Sequence, residues 1–427
     1  MRERWRKPIC AKRACSDEDA PLSALASPSP ATTTTTDAGA DAGFLALLLA
    51  GFALLALGSL GFVTVAPNRL LSGTPLPLWT AVGTGGTVAI GLPLLALLAL
   101  GLLRDIPGRQ LLIAIAAGGL LVAATAAAGW AASAHAKDAG ALTRVALGPG
   151  FWCTATAGFL ALADAVGRMR HGIAKALPVL AVGIALAMLA GSGALSELSI
   201  AREYAVRRDT YLHELGRHLQ LTAAGLALAV PCGAAIGRLA YRDPRRAGPA
   251  FAVLDIVQTI PSLALFALLI GPLAALVTLV PVLGDAGVSG IGAFPAILAL
   301  GIYGLLPVAR GVHAGLASVP VDVVEAARGM GMSGRQILLH TLMPLAAPAL
   351  VQTLRVTIVQ LIGLTTLAAL IGAGGLGTFI FQGLGQTASD LVLLGALSAI
   401  GLALIADLAL RALARLAWRR GSKGGAA

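Results

Sequence analysis

Charge is what this sequence of 427 residues has least of: Asp, Glu, Lys and Arg together make up 12%, against about 25% in an average soluble domain. With 57% hydrophobic residues beside that deficit, an ordinary soluble globular protein is excluded, and the fold class expected is an all-α, polytopic membrane helix bundle. Cysteine is also scarce. Cys10 and Cys15 have no companion His pair, and Cys153 and Cys232 sit in apolar runs as small hydrophobes, so neither a metal site nor a disulfide framework is indicated. Catalytic signatures are missing as well: there is no H-E-x-x-H, no G-x-x-x-x-G-K-[ST] and no G-x-S-x-G, hence no catalytic residue and no ATP-binding loop to assign. Gly372–Gly377 does fit G-x-G-x-x-G, but an apolar run precedes it in place of a strand, and Asp390 follows Gly377 by only 13 residues. It reads as a tight turn with close backbone packing. The first thirty residues hold no apolar stretch of signal-peptide type.

What is present is a series of apolar runs, each able to cross a core of about 30 Å with about 20 residues. They lie near 43–65, 77–103, 111–133, 147–166 and 173–194, then near 219–240, 250–274, 292–315, 346–371 and 391–416. The intervening Lys and Arg residues are distributed unequally. If the basic N-terminus is cytoplasmic and ten helices alternate, 23 of the 31 Lys and Arg fall inside and 7 outside, with Arg355 inside a span. This bias predicts ten spans with both termini cytoplasmic. It also accounts for the net charge of +11 through contact with membrane lipid, without a nucleic-acid partner.

The expected organisation is a disordered cytoplasmic tail (1–42), an N-terminal five-helix extension (43–194), an external amphipathic segment (195–218), a five-helix core (219–416) with a cytoplasmic loop at 316–345, and a short cytoplasmic tail (417–427). Leu212, Leu215 and Leu219 suggest a helix lying at the outer interface.

Polar groups inside apolar runs are costly and therefore informative. Arg355 and Asp407 lie at similar depth from the cytoplasmic side, about nine residues in at ~1.5 Å each, and are expected to form an intramembrane ion pair; Asp255 is a rival partner. Pro261 falls inside a span, where it bends the helix and frees a carbonyl. With Gln258, Thr259 and Ser262 beside it, and Gln360 and Thr365 on a later span, it marks a pore-lining kink; interhelical hydrogen bonding is the plainer use of the same groups.

The polar interruption from Pro320 to Pro344 carries the most specific pattern. Glu325-Ala326-Ala327, three residues, Gly331, nine residues, and Thr341-Leu342-Met343-Pro344 resemble the E-A-A-x3-G-x9-I-x-L-P loop of ABC-importer permeases, with Thr341 and Met343 replacing the usual Ile and Leu. Gln258–Leu265, Leu305–Arg310 and Thr366–Gly377 are similar to the osmoprotectant uptake branch (glycine betaine, choline, proline betaine), and 43–194 resembles the extension of its longer members. The resemblance implies a type I importer core with Glu325, Ala326, Ala327, Gly331 and Pro344 coupling to cytoplasmic ATPase subunits. It further implies an extracytoplasmic binding protein, a second permease subunit (identical or not) and a bacterial inner-membrane location. ATP would be used by the ATPase partner, and this chain would bind no cofactor. Aromatics, which form cages around quaternary amines, make up only 4% and few lie within the core spans, so specificity is expected mainly in the binding protein. An ABC permease for an amino acid or other small solute is an alternative. An ion-coupled secondary transporter is another, but it would place carboxylates near the midplane.

Overall fold

The computed structural model describes residues 36–68, 73–103, 106–139, 143–169 and 172–423. The expected N-terminal tail over 1–35, Cys10 and Cys15, and the last four residues lie outside them. In the N-terminal part, α1 (Thr36–Ser59) leads into β1 (Val63–Ala66) and β2 (Thr74–Leu76). Then come α2 (Leu78–Leu102), α3 (Arg109–Ala139), β3 (Arg144–Leu147), α4 (Pro149–Arg168), α5 (Gly172–Gly191) and the short α6 (Ser199–Val206). The C-terminal part holds α7 (Arg208–Arg242), α8 (Pro244–Thr259), α9 (Ser262–Leu279), α10 (Val282–Asp285), α11 (Ala293–Ala317), α12 (Val321–Gly329) and α13 (Gly334–Gln336). A π-helical turn (Ile337–Leu342) follows, then α14 (Met343–Thr365), a 3-10 turn (Thr366–Ile371), α15 (Gly377–Gly385) and α16 (Ser389–Lys423). Among the described residues, eight helical stretches are long and apolar enough to cross a membrane, and Gly43–Ser59 and Lys175–Gly191 are shorter apolar helices. The chain is a multi-pass helical membrane protein.

Small residues shape the N-terminal unit. Ala46, Ala50 and Ala53 of α1, Ala117, Ala124, Ala128 and Ala131 of α3, and Ala157, Ala161 and Ala165 of α4 are buried at helical spacing. Lipid offers no hydrophobic drive between helices, so close approach of small side chains supplies the packing. The opposite face of α4 exposes Phe159 and Leu160, as a lipid-facing surface should. Arg109 is buried and donates to Leu100 O (2.8 Å) and Gly101 O (3.1 Å), satisfying carbonyls at the end of α2 that the helix leaves unpaired.

The three strands are a feature the sequence reading missed. They form an antiparallel sheet ordered β2-β1-β3, above the fully buried Phe62, which packs edge-on against Phe151 at 5.9 Å. Leu198 bridges to Val145 of β3. Just after it, α6 fastens the two halves together. Ser199 donates to Asp390 of α16 (2.5 Å), Arg202 donates to Thr143 O (2.9 Å), and buried Glu203 takes Arg144 (3.8 Å) and Arg207 (3.3 Å).

Four boundaries differ from expectation. Thr36–Ala42, assigned to the tail, belongs to α1, and α16 continues through much of 417–427. The separate helix within 195–218 is the short α6, and Leu212, Leu215 and Leu219 lie instead in the first turns of α7, which runs unbroken to Arg242. An i, i+3, i+7 leucine pattern is shared by a helix lying on a surface and one entering a bundle. Finally, the span expected over 250–274 is two helices, α8 and α9, parted at Ile260-Pro261.

The core of the C-terminal half is the α7/α11 pair, made possible by glycines. A Cβ on Gly237 would come within 2.4 Å of Ala309 O, and one on Gly304 within 2.5 Å of the Ala229 Cβ. The same logic governs Gly377, at the start of α15, where an added Cβ would lie 1.8 Å from Thr366 O. A backbone oxygen cannot swing aside as a side chain can, so Gly377→Ala is expected to destabilise the folded chain by about 2–3 kcal/mol. Thermal survival in detergent measures this, and a wild-type melting profile would show that the turn tolerates the methyl group.

Candidate functional site

The polar segment Pro320–Pro344 folds as a helical knob on one end of the bundle. Pro320 and Asp322 open α12, where a first-turn acid suits the helix dipole, and Gly331 turns the chain with φ +78. Ser333 then starts α13 with a capping box: its Oγ accepts from Gln336 N (3.4 Å) and Gln336 Oε1 accepts from Ser333 N (2.8 Å), satisfying two otherwise orphan donors. Ala327, Ile337 and Leu342 are buried with Leu316, Val319 and Ala346, and Tyr241 from the end of α7 packs against them. The knob therefore sits rigidly on the ends of α7, α11 and α14. Glu325, Ala326, Arg328 and Pro344 are exposed, as are Val321 (68%) and Met330 (76%). Of the five residues assigned to coupling, Ala327 is buried and holds the knob in place, while Glu325, Ala326, Gly331 and Pro344 are at its surface.

The groups assigned to a pore are divided. Gln258 Nε2 donates to Tyr303 O of α11 (2.8 Å), and the Tyr303 hydroxyl donates to Ile260 O, the carbonyl at the helix break. Pro261 thus does more than bend a helix: it ends α8, and Tyr303 satisfies the group left over. Thr259 is exposed and donates only to Ile256 O (2.7 Å). Ser262 and Gln360 are half-buried. Thr365 is a correction. It is fully buried, with its hydroxyl donating to Leu361 O (2.7 Å) and 3.0 Å from the Thr222 hydroxyl of α7, so it joins helices and lines no pore in this chain. Interhelical bonding is the use that the sequence left open beside the pore.

Arg355 and Asp407 are paired. Arg355 Nε meets Asp407, Arg355 Nη1 donates to Gln352 (2.7 Å), and Arg411 Nε donates to the other Asp407 oxygen (2.8 Å). Asp255 is engaged elsewhere, by Arg310 at 2.7 Å.

Sequence reading missed a polar clamp at the opposite end of the bundle. Glu214 accepts from Gly375 N (2.5 Å), and Arg217 donates to Ala373 O (3.0 Å). His218, fully buried, faces Ile362 O through Nε2 (3.1 Å) and accepts from Leu376 N at Nδ1 (3.3 Å), an arrangement that suits the neutral tautomer with its proton on Nε2. These residues grip Gly372–Gly377, where Gly374 and Gly375 have φ of +83 and +94, a backbone open to glycine. The only local signal was the run of charge in 202–217 beside a glycine cluster some 160 residues later. Among the described residues no group of three or more His, Cys, Asp or Glu is placed to hold a metal ion.

Discontinuous membrane helices, with a rigid exposed knob at one end and a clamped turn at the other, define a transport permease. The chain belongs to the family of binding-protein-dependent transport system inner membrane components, matched over residues 229–419, and residues 41–201 match the N-terminal domain of ABC transporter permease YehY. It is thus an ABC-importer permease with an N-terminal membrane extension. The carnitine transport permease protein OpuCB of Listeria monocytogenes is 38% identical over 192 residues, 45% of this chain and 79% of that protein. The osmoprotectant import permease protein OsmW of Salmonella typhimurium is 37% identical over 45% and 84% of the two chains. For the glycine betaine/carnitine/choline transport system permease protein OpuCB of Bacillus subtilis the identity is 34%, over 50% and 91%.

Proposed function

We propose that this permease subunit imports a compatible solute such as glycine betaine, carnitine or choline, driven by ATP hydrolysed on a separate ATPase. The observation that carries the reading is the knob of α12 and α13. Its exposed Glu325, Val321 and Met330 offer a mixed apolar and charged surface, while its underside is locked to the ends of three membrane helices. A push on such a surface moves α7, α11 and α14 together. Glu325, Ala326, Gly331 and Pro344 would meet the ATPase, with Ala327 seating the knob, and the helix break at Pro261 with Gln258 and Thr259 would face the path of the solute. The distribution of Lys and Arg supports placing the knob and both termini in the cytoplasm. A binding protein would then dock at the far end, next to the clamped glycine turn, and a second permease subunit would complete the path. The chain itself would be non-catalytic and bind no cofactor. The substrates of the relatives that it resembles support the choice of solute.

The test is reconstitution with a cognate ATPase and a binding protein. Radiolabelled glycine betaine, carnitine or choline should accumulate in vesicles only when ATP is supplied with all components. Accumulation driven by an ion gradient without ATP would replace this reading with secondary transport, and ATP-driven uptake of amino acids alone would replace the substrate.

A further inference from the structure

A cavity of about 600 Å³ opens at the α15 end of the bundle, lined by His213, Glu214, Arg217 and Gln220 of α7 and by Gly372–Gly374. Tyr241, at the other end of α7, packs under α12, so the cavity and the knob are at opposite ends of a helix about 50 Å long. A volume of this order suits a small solute. Its charges are arranged unusually. Glu214 and Arg217, one helical turn apart, share a face yet do not pair with each other among the described contacts; each is anchored to the glycine turn. Glu214 Oε2 accepts from Gly375 N (2.5 Å) and from the Thr378 hydroxyl (3.4 Å), and Arg217 Nε donates to Ala373 O (3.0 Å). Among the described residues, Glu214 Oε1 has one ionic neighbour, His213 Nδ1 at 3.5 Å, and the terminal guanidinium nitrogens of Arg217 carry no described bond. A Cβ on Gly374 would approach Glu214 Oε2 to 2.8 Å, so the glycine wall leaves the carboxylate its room. Two opposite charges held apart by backbone anchors form a preorganised receptor, because ordering them costs nothing further when a ligand arrives.

We propose that this cavity is a weak binding site for a small zwitterion, with Glu214 receiving the cationic end and Arg217 the anionic end. The site rests on the import reading for the identity of its solute, and its binding is measurable without transport. The full-length chain, purified into nanodiscs, is titrated with radiolabelled glycine betaine and with choline, which has the cation but no carboxylate. Wild type should bind glycine betaine in the range of about 1 mM. Arg217→Gln keeps an N–H donor where Arg217 Nε now meets Ala373 O, and Glu214→Gln keeps an oxygen for Gly375 N–H, so neither removes the anchor. Arg217→Gln should weaken glycine betaine about tenfold and leave choline unchanged, whereas Glu214→Gln should weaken both about tenfold. Absence of glycine betaine binding to wild type, no change in either variant, or equal loss of both ligands in Arg217→Gln would overturn the site. ATP-driven uptake in the complete importer without such binding would reject the cavity and keep the import function; binding without uptake would do the reverse.

Discussion

Glu325→Lys is expected to abolish ATP-driven uptake while the chain still reaches the membrane at wild-type level. Glu325 is exposed on α12 and makes no ion pair among the described residues, so its replacement should change the chain's own stability by no more than about 0.5 kcal/mol. What changes is the outward face of the knob. A reversed charge buried against a partner leaves both sides unpaired, a loss of about 2–5 kcal/mol at desolvated interfaces. Gly331→Val should reach the same end by another route. Gly331 has φ +78, and a β-branched residue there is strained by about 1–2 kcal/mol, which would redirect α13 relative to α12. Uptake into vesicles, read beside the amount of chain in the membrane, decides the matter. Normal uptake in both variants would end the assignment of Pro320–Pro344 as the coupling surface.

The second large effect is expected from Asp407→Leu. Arg355 would keep its charge within the span and lose its partner, and Arg411 would lose its contact too. Removing one member of a mostly buried pair costs about 3–5 kcal/mol, whereas replacing both with apolar residues of similar size is often neutral. The double change Arg355→Met with Asp407→Leu should therefore recover most of the folded protein that Asp407→Leu loses. Survival after heating in detergent measures each. A single variant as stable as wild type would show that Arg355 reaches the headgroup region without Asp407.

Several of these features were legible in the residues because they are local or costly. The knob interrupts an apolar run with a first-turn acid, a helix-ending glycine and a returning apolar stretch, and those signals act within a few residues. Arg355 and Asp407 stood out because lone charges in apolar runs need partners, and equal depth on neighbouring spans made them candidates for each other. The strands of the small sheet were not legible. With three or four residues each, they are too short to show a period of two, and their register is set by pairing across some eighty residues between β1 and β3.

Composition and charge placement by themselves determined that the chain is a polytopic helical membrane protein with a polar knob after its eighth span, because hydrophobic length and the cost of buried charge are properties of the linear chain. Tertiary structure decided which polar groups serve packing. Whether Pro261 bends a helix or ends it depended on Tyr303 reaching Ile260 O, 43 residues before it in the chain. Whether Thr365 faces a path or a neighbour depended on Thr222 of α7. The Glu214, Arg217 and His218 clamp exists only because folding brings the first turns of α7 to a glycine turn that no nearby residue identifies. Hydrogen-bond partners in a bundle come from whichever helix packs alongside, and that choice is made in three dimensions.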